Sequence, residues 1–275
     1  MRGMLVLGTV AVAGIAVAWP LMSRTDTTRV VAVYPSATEV PANLLRFYVE
    51  FSAPMREDVA LDHVRLLDDS GRVVQDAFLA LREELWDPSS RRLTLLLDPG
   101  RIKRGLRSHR EMGTPLVEGR EYRLIVDGAW IDASGRGLAG PYEKRFRTGR
   151  VDRARPRPDD WTIMAPRLAT RDPLRVQFEK PLDHALAATL LRPVDASGTA
   201  IEGSIRLADD DRVWMFTPAR PWSTAIVYIQ IDTRLEDVAG NSIARAFDVD
   251  YRTDGAAAET VPSTGRTLLR VPVRP

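Results

Sequence analysis

Cysteine is absent from the 275 residues. Its absence excludes disulfides, thiolate zinc sites, cysteine nucleophiles and a lipid-modified cysteine anchor together. Histidine is nearly absent as well, with only His63, His109 and His184. The sequence shows no Ser/His/Asp arrangement, no Gly-x-Gly-x-x-Gly and no P-loop. Lysine is confined to Lys103, Lys144 and Lys180, so arginine carries almost all the positive charge. The 39 basic and 37 acidic residues leave a net charge of only +2. That balance argues against nucleic acid as a partner, because neutralising phosphates needs a concentrated excess of cations. Long amphipathic helical periods are missing too.

What is present is a pattern written twice. Phe47, Val49, Phe51 and Pro54 recur as Leu174, Val176, Phe178 and Pro181, a spacing of 127 (174 − 47). Asp68, Ser70 and Gly71 recur as Asp195, Ser197 and Gly198 at the same spacing. Later in each copy the spacing falls to 105 (227 − 122). There Tyr122, Leu124, Val126, Asp132, Gly135 and Thr148 recur as Val227, Ile229, Ile231, Asp237, Gly240 and Thr253. Repeated alternating strands mark tandem β-modules. The chain is long enough for two domains that each bury a core.

The strands can be placed from alternation and turn residues. In Asn43–Phe51, Leu45, Phe47, Val49 and Phe51 fall on one face and Arg46 and Glu50 on the other. Val64–Leu67 precedes an Asp-Asp-Ser-Gly turn, and Asp87–Arg91 joins two strands as a hairpin. The second copy supplies Leu174–Phe178, Leu190–Arg192, Ser204–Leu207, Val213–Thr217, Ala225–Ile231 and Phe247–Thr253. The expected fold is all-β, with two tandem Ig-like β-sandwiches.

Residues 1–24 form an N-terminal signal peptide or membrane anchor. Gly3–Met22 is apolar and uncharged, flanked by Arg2 and Arg24, and contains the small-x-small triplet Ala16-Val17-Ala18. The expected address is therefore extracytoplasmic, with the membrane touched only through this segment. Residues 28–150 make the first sandwich, interrupted by an insertion at about 99–115. Residues 151–160, rich in Pro and Arg, form an extended linker that leaves the modules a limited range of angles. Residues 161–254 make the second sandwich, and 255–275 a flexible tail whose apolar end, Thr267–Val273, is suited to pairing with a sheet edge.

Tyr34-Pro35, Phe51-Ser52-Ala53-Pro54-Met55 and Glu236-Asp237-Val238-Ala239-Gly240-Asn241 resemble bacterial Ig-like modules of the S-layer-protein type. The resemblance implies an extracytoplasmic sandwich used for display, spacing or adhesion, with no catalytic residues. The opening Tyr34-Pro35, Val40-Pro41-Ala42-Asn43 and Phe51–Met55 also resembles periplasmic copper-carrier domains, whose ligands are histidines and methionines. That likeness reaches the fold and not the site, since no histidine stands near the mature N-terminus.

The fall in spacing from 127 to 105 gives the first copy 22 extra residues. Most of them are in the stretch that carries Arg101, Lys103, Arg104, Arg107 and Arg110. Guanidinium forks suit carboxylate, sulfate or phosphate groups, so this insertion is the candidate anion- or partner-binding loop. The same arginines also suit a solvated connection, capping carbonyls and pairing with Glu83, Glu84 or Glu111. Two acidic turns, Asp127–Gly137 and Asp232–Asn241, read as hairpin turns rather than calcium loops. Glu83 and Glu84, adjacent on a strand, point to opposite faces. With Asp209–Asp211, they read as exposed acidic turns rather than as a glycosidase pair. The tryptophans read chiefly as core or interdomain filler.

These readings amount to an exported, non-enzymatic binding or structural module, with an envelope protein or an acidic glycan as partner and no cofactor. A periplasmic metal-carrier-like protein, and an accessory or catalytic chain of a glycan hydrolase, are the alternatives.

Overall fold

The computed structural model describes residues 27–57, 59–223, 227–248 and 268–273. The apolar segment 3–22 lies outside them. Among the described residues no helix is long and apolar enough to cross a membrane.

The fold is an all-β sandwich architecture. In the N-terminal half, β1 (Val30–Tyr34), β3 (Arg46–Phe51), β6 (Arg92–Leu96) and β5 (Leu85–Trp86) form one sheet in the order β1-β3-β6-β5. The facing sheet runs β2-β8-β7-β4, built from β2 (Glu39–Pro41), β8 (Tyr142–Gly149), β7 (Glu121–Val126) and β4 (Val64–Leu67). Period-two alternation turns Phe47, Val49 and Leu93 of one sheet toward Leu66, Leu124 and Phe146 of the other, in one core.

The C-terminal half repeats this order, except that β2 has no counterpart among its described residues. β9 (Thr162–Met164), β10 (Leu174–Gln177), β13 (Val213–Pro218) and β12 (Gly203–Ala208) pair as β12-β13-β10-β9. The second sheet is β11-β14-β15, from β11 (Leu191–Asp195), β14 (Val227–Asp232) and β15 (Leu268–Val273). A second core gathers Leu174, Val176, Trp214, Phe216, Ile229 and Ile231. Short helices fill the connections: α1 (Ala60–His63), α2 (Pro99–Ile102), α3 (Arg107–Met112) and α4 (His184–Leu190).

The register corrects the sequence reading at the close of the second copy. The expected strand Phe247–Thr253 lies outside the described residues from 249 onward, and Phe247 and Asp248 form a bend. The place beside β14 belongs instead to β15, so this part of the expected flexible tail is a strand with Val273 buried. Tyr122 faces Phe146 and Val227 faces Val273, which returns the spacing to 127 (273 − 146). Each copy therefore carries its extra length in a different place. The first holds it mainly between β6 and β7, and the second between β14 and β15.

The Asp turns recur with the same wiring. Asp68 Oδ1 accepts the Ser70 and Arg72 N–H groups at 2.9 Å each, as Asp195 Oδ1 accepts those of Ser197 and Thr199 at 2.9 Å each. Asp132 Oδ1 accepts from Ser134 and Arg136, as Asp237 Oδ1 accepts from Ala239 and Asn241. A short carboxylate that satisfies its own backbone two and four residues on is what makes Asp the turn residue here. Burial opposes ionisation of Asp132, but these N–H bonds, the Thr28 hydroxyl and the Arg136 charge hold its carboxyl down at about 2. Residue 253, matched to Thr148 in sequence, lies outside the described residues.

Candidate functional site

The structure disperses the five cations of the insertion. Arg101 is buried, and its guanidinium donates to the carbonyls of Gln75 (2.7 Å), Asp76 (2.8 Å) and Gly113 (3.0 Å). Lys103 Nζ lies 4.2 Å from the Phe247 ring centre. Arg104 bonds Asp248 through its backbone N–H (2.9 Å) and its Nε (3.0 Å). Arg107 pairs with Glu111 at 2.7 Å within α3, and Arg110 reaches the Gly105 carbonyl at 3.4 Å. Arg107 and Arg110, both in α3, keep their side chains at the surface.

Lys103 and Arg104 point to a larger feature, a polar seam along which the halves of the chain meet. Tyr48 is buried although it shares the outward face of β3 with Arg46 and Glu50. The reason is that α4 and the turn after β14 cover this face. The Tyr48 hydroxyl bonds both oxygens of Asp183, at 2.8 and 2.9 Å. Asp183 also caps α4 by accepting the Leu186 N–H at 3.0 Å. Arg46 lies 3.4 Å from Asp183 and pairs with Glu236. Burial pushes the Asp183 and Glu236 carboxyls up, and the Arg46 charge pulls against it. Burial next to Asp183 also pushes the Tyr48 hydroxyl well up, so it remains a donor.

The linker is part of this seam rather than a spacer. The Asp152 carbonyl accepts from Asn43 (2.7 Å) and from Asn241 (3.1 Å), and its carboxylate pairs with Lys180 at 2.8 Å. Lys180 reaches Asp237 at 2.7 Å as well. Burial works against the Lys180 charge, but Asp237 and Asp152 outweigh it and raise its pKa. Val238, next in the turn, inserts into the N-terminal core, and its carbonyl takes the Leu45 N–H at 3.0 Å. The limited range of angles expected of 151–160 is thus replaced by a fixed contact.

A second patch flanks the seam. The His184 ring stacks on Tyr34 at 3.4 Å, and its Nδ1 lies 2.7 Å from Asp211 Oδ1. Asp210 accepts from the Ser36 hydroxyl at 2.8 Å. The expectation that Asp209–Asp211 is an exposed acidic tip is therefore wrong at Asp211, which is 3% exposed. All three aspartates hold positive φ, of 50°, 51° and 63°. That run costs backbone energy, which the buried contacts offset.

The remaining candidates resolve individually. His63 stacks on Trp130, and His109 lies 2.6 Å from the Arg101 carbonyl. Among the described residues no group of three His, Cys, Asp or Glu is arranged to hold a metal ion. Glu84 accepts from the Ala60 N–H and the Trp86 indole. Trp130, Trp161, Trp214 and Trp222 are core residues, Trp86 is half-buried, and Trp19 lies outside the described set.

Chemically the seam is a lock. Its charges are paired, its hydroxyl donor is kept protonated, and two apolar side chains of the C-terminal half, Val238 and Phe247, pack on the N-terminal core. Gly240 shows how close the contact is. Its φ is +83°, and a Cβ there would stand 2.5 Å from a Leu45 methyl. Gly135, its counterpart in the first copy, has φ +80° with nothing within 4 Å. Gly135→Ala should lose about 1 kcal/mol from the left-handed backbone alone. Gly240→Ala should lose roughly 1–2 kcal/mol more, as crowding against a packed neighbour adds to that. Urea denaturation of the two variants side by side measures the difference.

No family model matches the chain, and no curated protein matches it either. Among solved structures, native α-2-macroglobulin from Escherichia coli, spanning domains MG0-NIE-MG1, is 11% identical with a TM-score of 0.29. That match covers 76% of this chain and 67% of the other. A pullulanase of Group B Streptococcus is 9% identical (TM-score 0.19), over 68% of this chain and 20% of its own. Murine CEACAM1b is 8% identical (TM-score 0.18), over 74% and 90%. These are distant likenesses, and none assigns an activity.

Proposed function

We propose that the chain is a non-enzymatic, extracytoplasmic tandem Ig-like protein that acts as a stiff spacer or binding arm at the cell envelope. The observation that carries this reading is the seam. Two sandwiches joined by a free linker present their loops at any angle, whereas Asp152, Lys180, Arg46 and Val238 hold them at one. A fixed arm suits display of a surface, and it lowers the entropy lost when that surface is bound. The apolar segment 3–22 supports export or tethering. The S-layer-type resemblance of the Phe51–Met55 and Glu236–Asn241 motifs supports the same reading.

The surface offered is the exposed side of α3. Arg107 and Arg110 are the cations of the insertion suited to an acidic glycan or envelope protein, since Arg101 and Arg104 serve the fold. Capture from an envelope fraction by the wild type, and its loss in Arg107→Ala/Arg110→Ala with unfolding unchanged, is the expected result. Equal capture by both proteins removes this loop from the proposal. Recovery of the protein only from the cytoplasm removes the proposed address.

A further inference from the structure

The two copies differ at two apolar positions of one helix in a way that leaves a groove. In the C-terminal half α4 runs for seven residues, and Leu186 and Leu190 pack on the core beside Ile205 and Leu207. In the N-terminal half α1 is a single turn of four residues. At the same spacing of 127, Val59 stands for Leu186 (186 − 59) and His63 for Leu190 (190 − 63). His63 turns to stack on Trp130 instead of covering the sheet. A groove of about 170 Å³ opens between α1 and the β5–β6 edge. Ala60, Phe78 and Leu95 line it, and Leu61, Leu81 and Leu85 form an exposed lip. An apolar cavity of roughly 150 Å³ accepts a benzene-sized group, so this one has room for a single large apolar side chain. Its rim is acidic on balance. Asp62 and Glu84 are the charged residues that line it, and the Glu84 carboxylate is held there by the Ala60 N–H and the Trp86 indole.

The matching piece lies in the other half. Leu168 is 52% exposed, the most exposed large apolar residue among those described. It stands in a turn between Arg167, which pairs with Asp172 at 2.8 Å, and Arg171, whose Nε donates to the Pro218 carbonyl at 3.0 Å. The turn is rigid: the Ala169 N–H donates to Trp222 O at 3.0 Å, Trp222 N–H to Thr170 O at 2.9 Å, and the Thr170 hydroxyl to Arg167 O at 2.8 Å. Ala169 itself holds φ +58°, a conformation a non-glycine residue keeps only where its surroundings impose it. An apolar knob whose flanks carry two arginines and one aspartate complements an open groove walled by leucines and carrying two carboxylates, and the preformed turn limits the ordering cost of inserting it.

We propose that Leu168 of one copy of this chain docks in the Leu61–Leu81–Leu85 groove of another. Within one chain Leu168 is exposed, so it does not fill its own groove. The contact uses different surfaces on each partner and is therefore heterologous, which adds copies head to tail unless the rotation happens to close a ring. It is small compared with the roughly 800 Å² per partner of a stable complex, so association belongs at high concentration or on a crowded surface. The proposal does not depend on where the protein resides.

The test uses the full chain in mild detergent, so that residues 3–22 do not themselves associate, with mass measured by sedimentation equilibrium up to millimolar concentration. The wild type should grow with concentration beyond the mass of a dimer. Leu168→Asp and Leu85→Arg should each remain monomeric while unfolding normally. Leu168→Asp keeps the groove and Leu85→Arg keeps the knob, so an equimolar mixture should settle at twice the monomer mass and go no further. A wild type that stays monomeric overturns the proposal, as do single variants that associate like the wild type. A mixture that stays monomeric, showing that the two surfaces do not meet, overturns it too.

Discussion

Replacing Arg46 by methionine should lower the unfolding free energy by about 3–5 kcal/mol, the cost of removing one partner from a buried ionic pair. Arg46 is the cation between Asp183 and Glu236, and without it two carboxylates are left facing each other across a covered surface. The pH dependence carries a distinct signature. Burial raises both carboxyl pKa values in the wild type, and Arg46 holds them down. In the variant both values rise further. A group raised in the folded state contributes its full stability below the unfolded value and loses it as pH rises through the folded one. The deficit should therefore be largest at neutral pH and shrink as the solution is acidified toward about pH 4, where unfolded carboxyls titrate. Urea titrations at several pH values measure it. Adding Asp183→Asn and Glu236→Gln should recover part of the loss at neutral pH. A deficit below about 1 kcal/mol that ignores pH would mean that the seam is a surface contact. Two separate unfolding transitions in the variant, against one in the wild type, would report the uncoupling of the halves directly.

Arg101→Ala should cost about 1–3 kcal/mol, because it removes a buried guanidinium together with the several hydrogen bonds it donates to carbonyls. The guanidinium ties residues 75 and 76 to residue 113, across the base of the insertion. Desolvation lowers its pKa, the cost of burying a charge whose bonded partners are neutral oxygens. Arg107→Ala and Arg110→Ala should each change stability by less than about 0.5 kcal/mol, as exposed cations do. Thermal unfolding of the three variants sorts the insertion into frame and free surface. A small loss at Arg101, matching the other two, would make the whole insertion a solvated loop.

The contrast between these arginines shows what was legible in the sequence. Alternation placed Phe47, Val49 and Phe51 on the core face, and the repeat placed Leu174, Val176 and Phe178 there too; all six are buried. Pro, Gly and Asp marked the turns correctly, because those signals act over two to four residues. The outward face of β3 could not be read this way. Arg46 and Glu50 look solvated by alternation, and only the packing of the second copy makes Tyr48 and Arg46 interior. A tyrosine between two charges on a nominally wet face was the one local hint. The same limit applies to Asp211, whose neighbours Asp209 and Asp210 are exposed, and to Arg101 among its arginine-rich neighbours. The closing strand was misplaced because Thr148 and Thr253 matched at the wrong spacing. Pairing across a sheet ignores how many residues lie in the loop, so the sequence contained the right strand, Leu268–Val273, at the spacing of 127.

The turn that carries Val238 has a twin. In the first copy Ala133 takes the equivalent place, within a turn of the same wiring, and it faces solvent. The joint therefore has a direction: one module lends its turn, and the other lends the start of a strand. Such a polar joint relates the modules by translation along the chain rather than by a twofold axis. A twofold arrangement would set turn against turn and strand start against strand start. The order of the modules is thus a property of their surfaces as well as of the covalent chain.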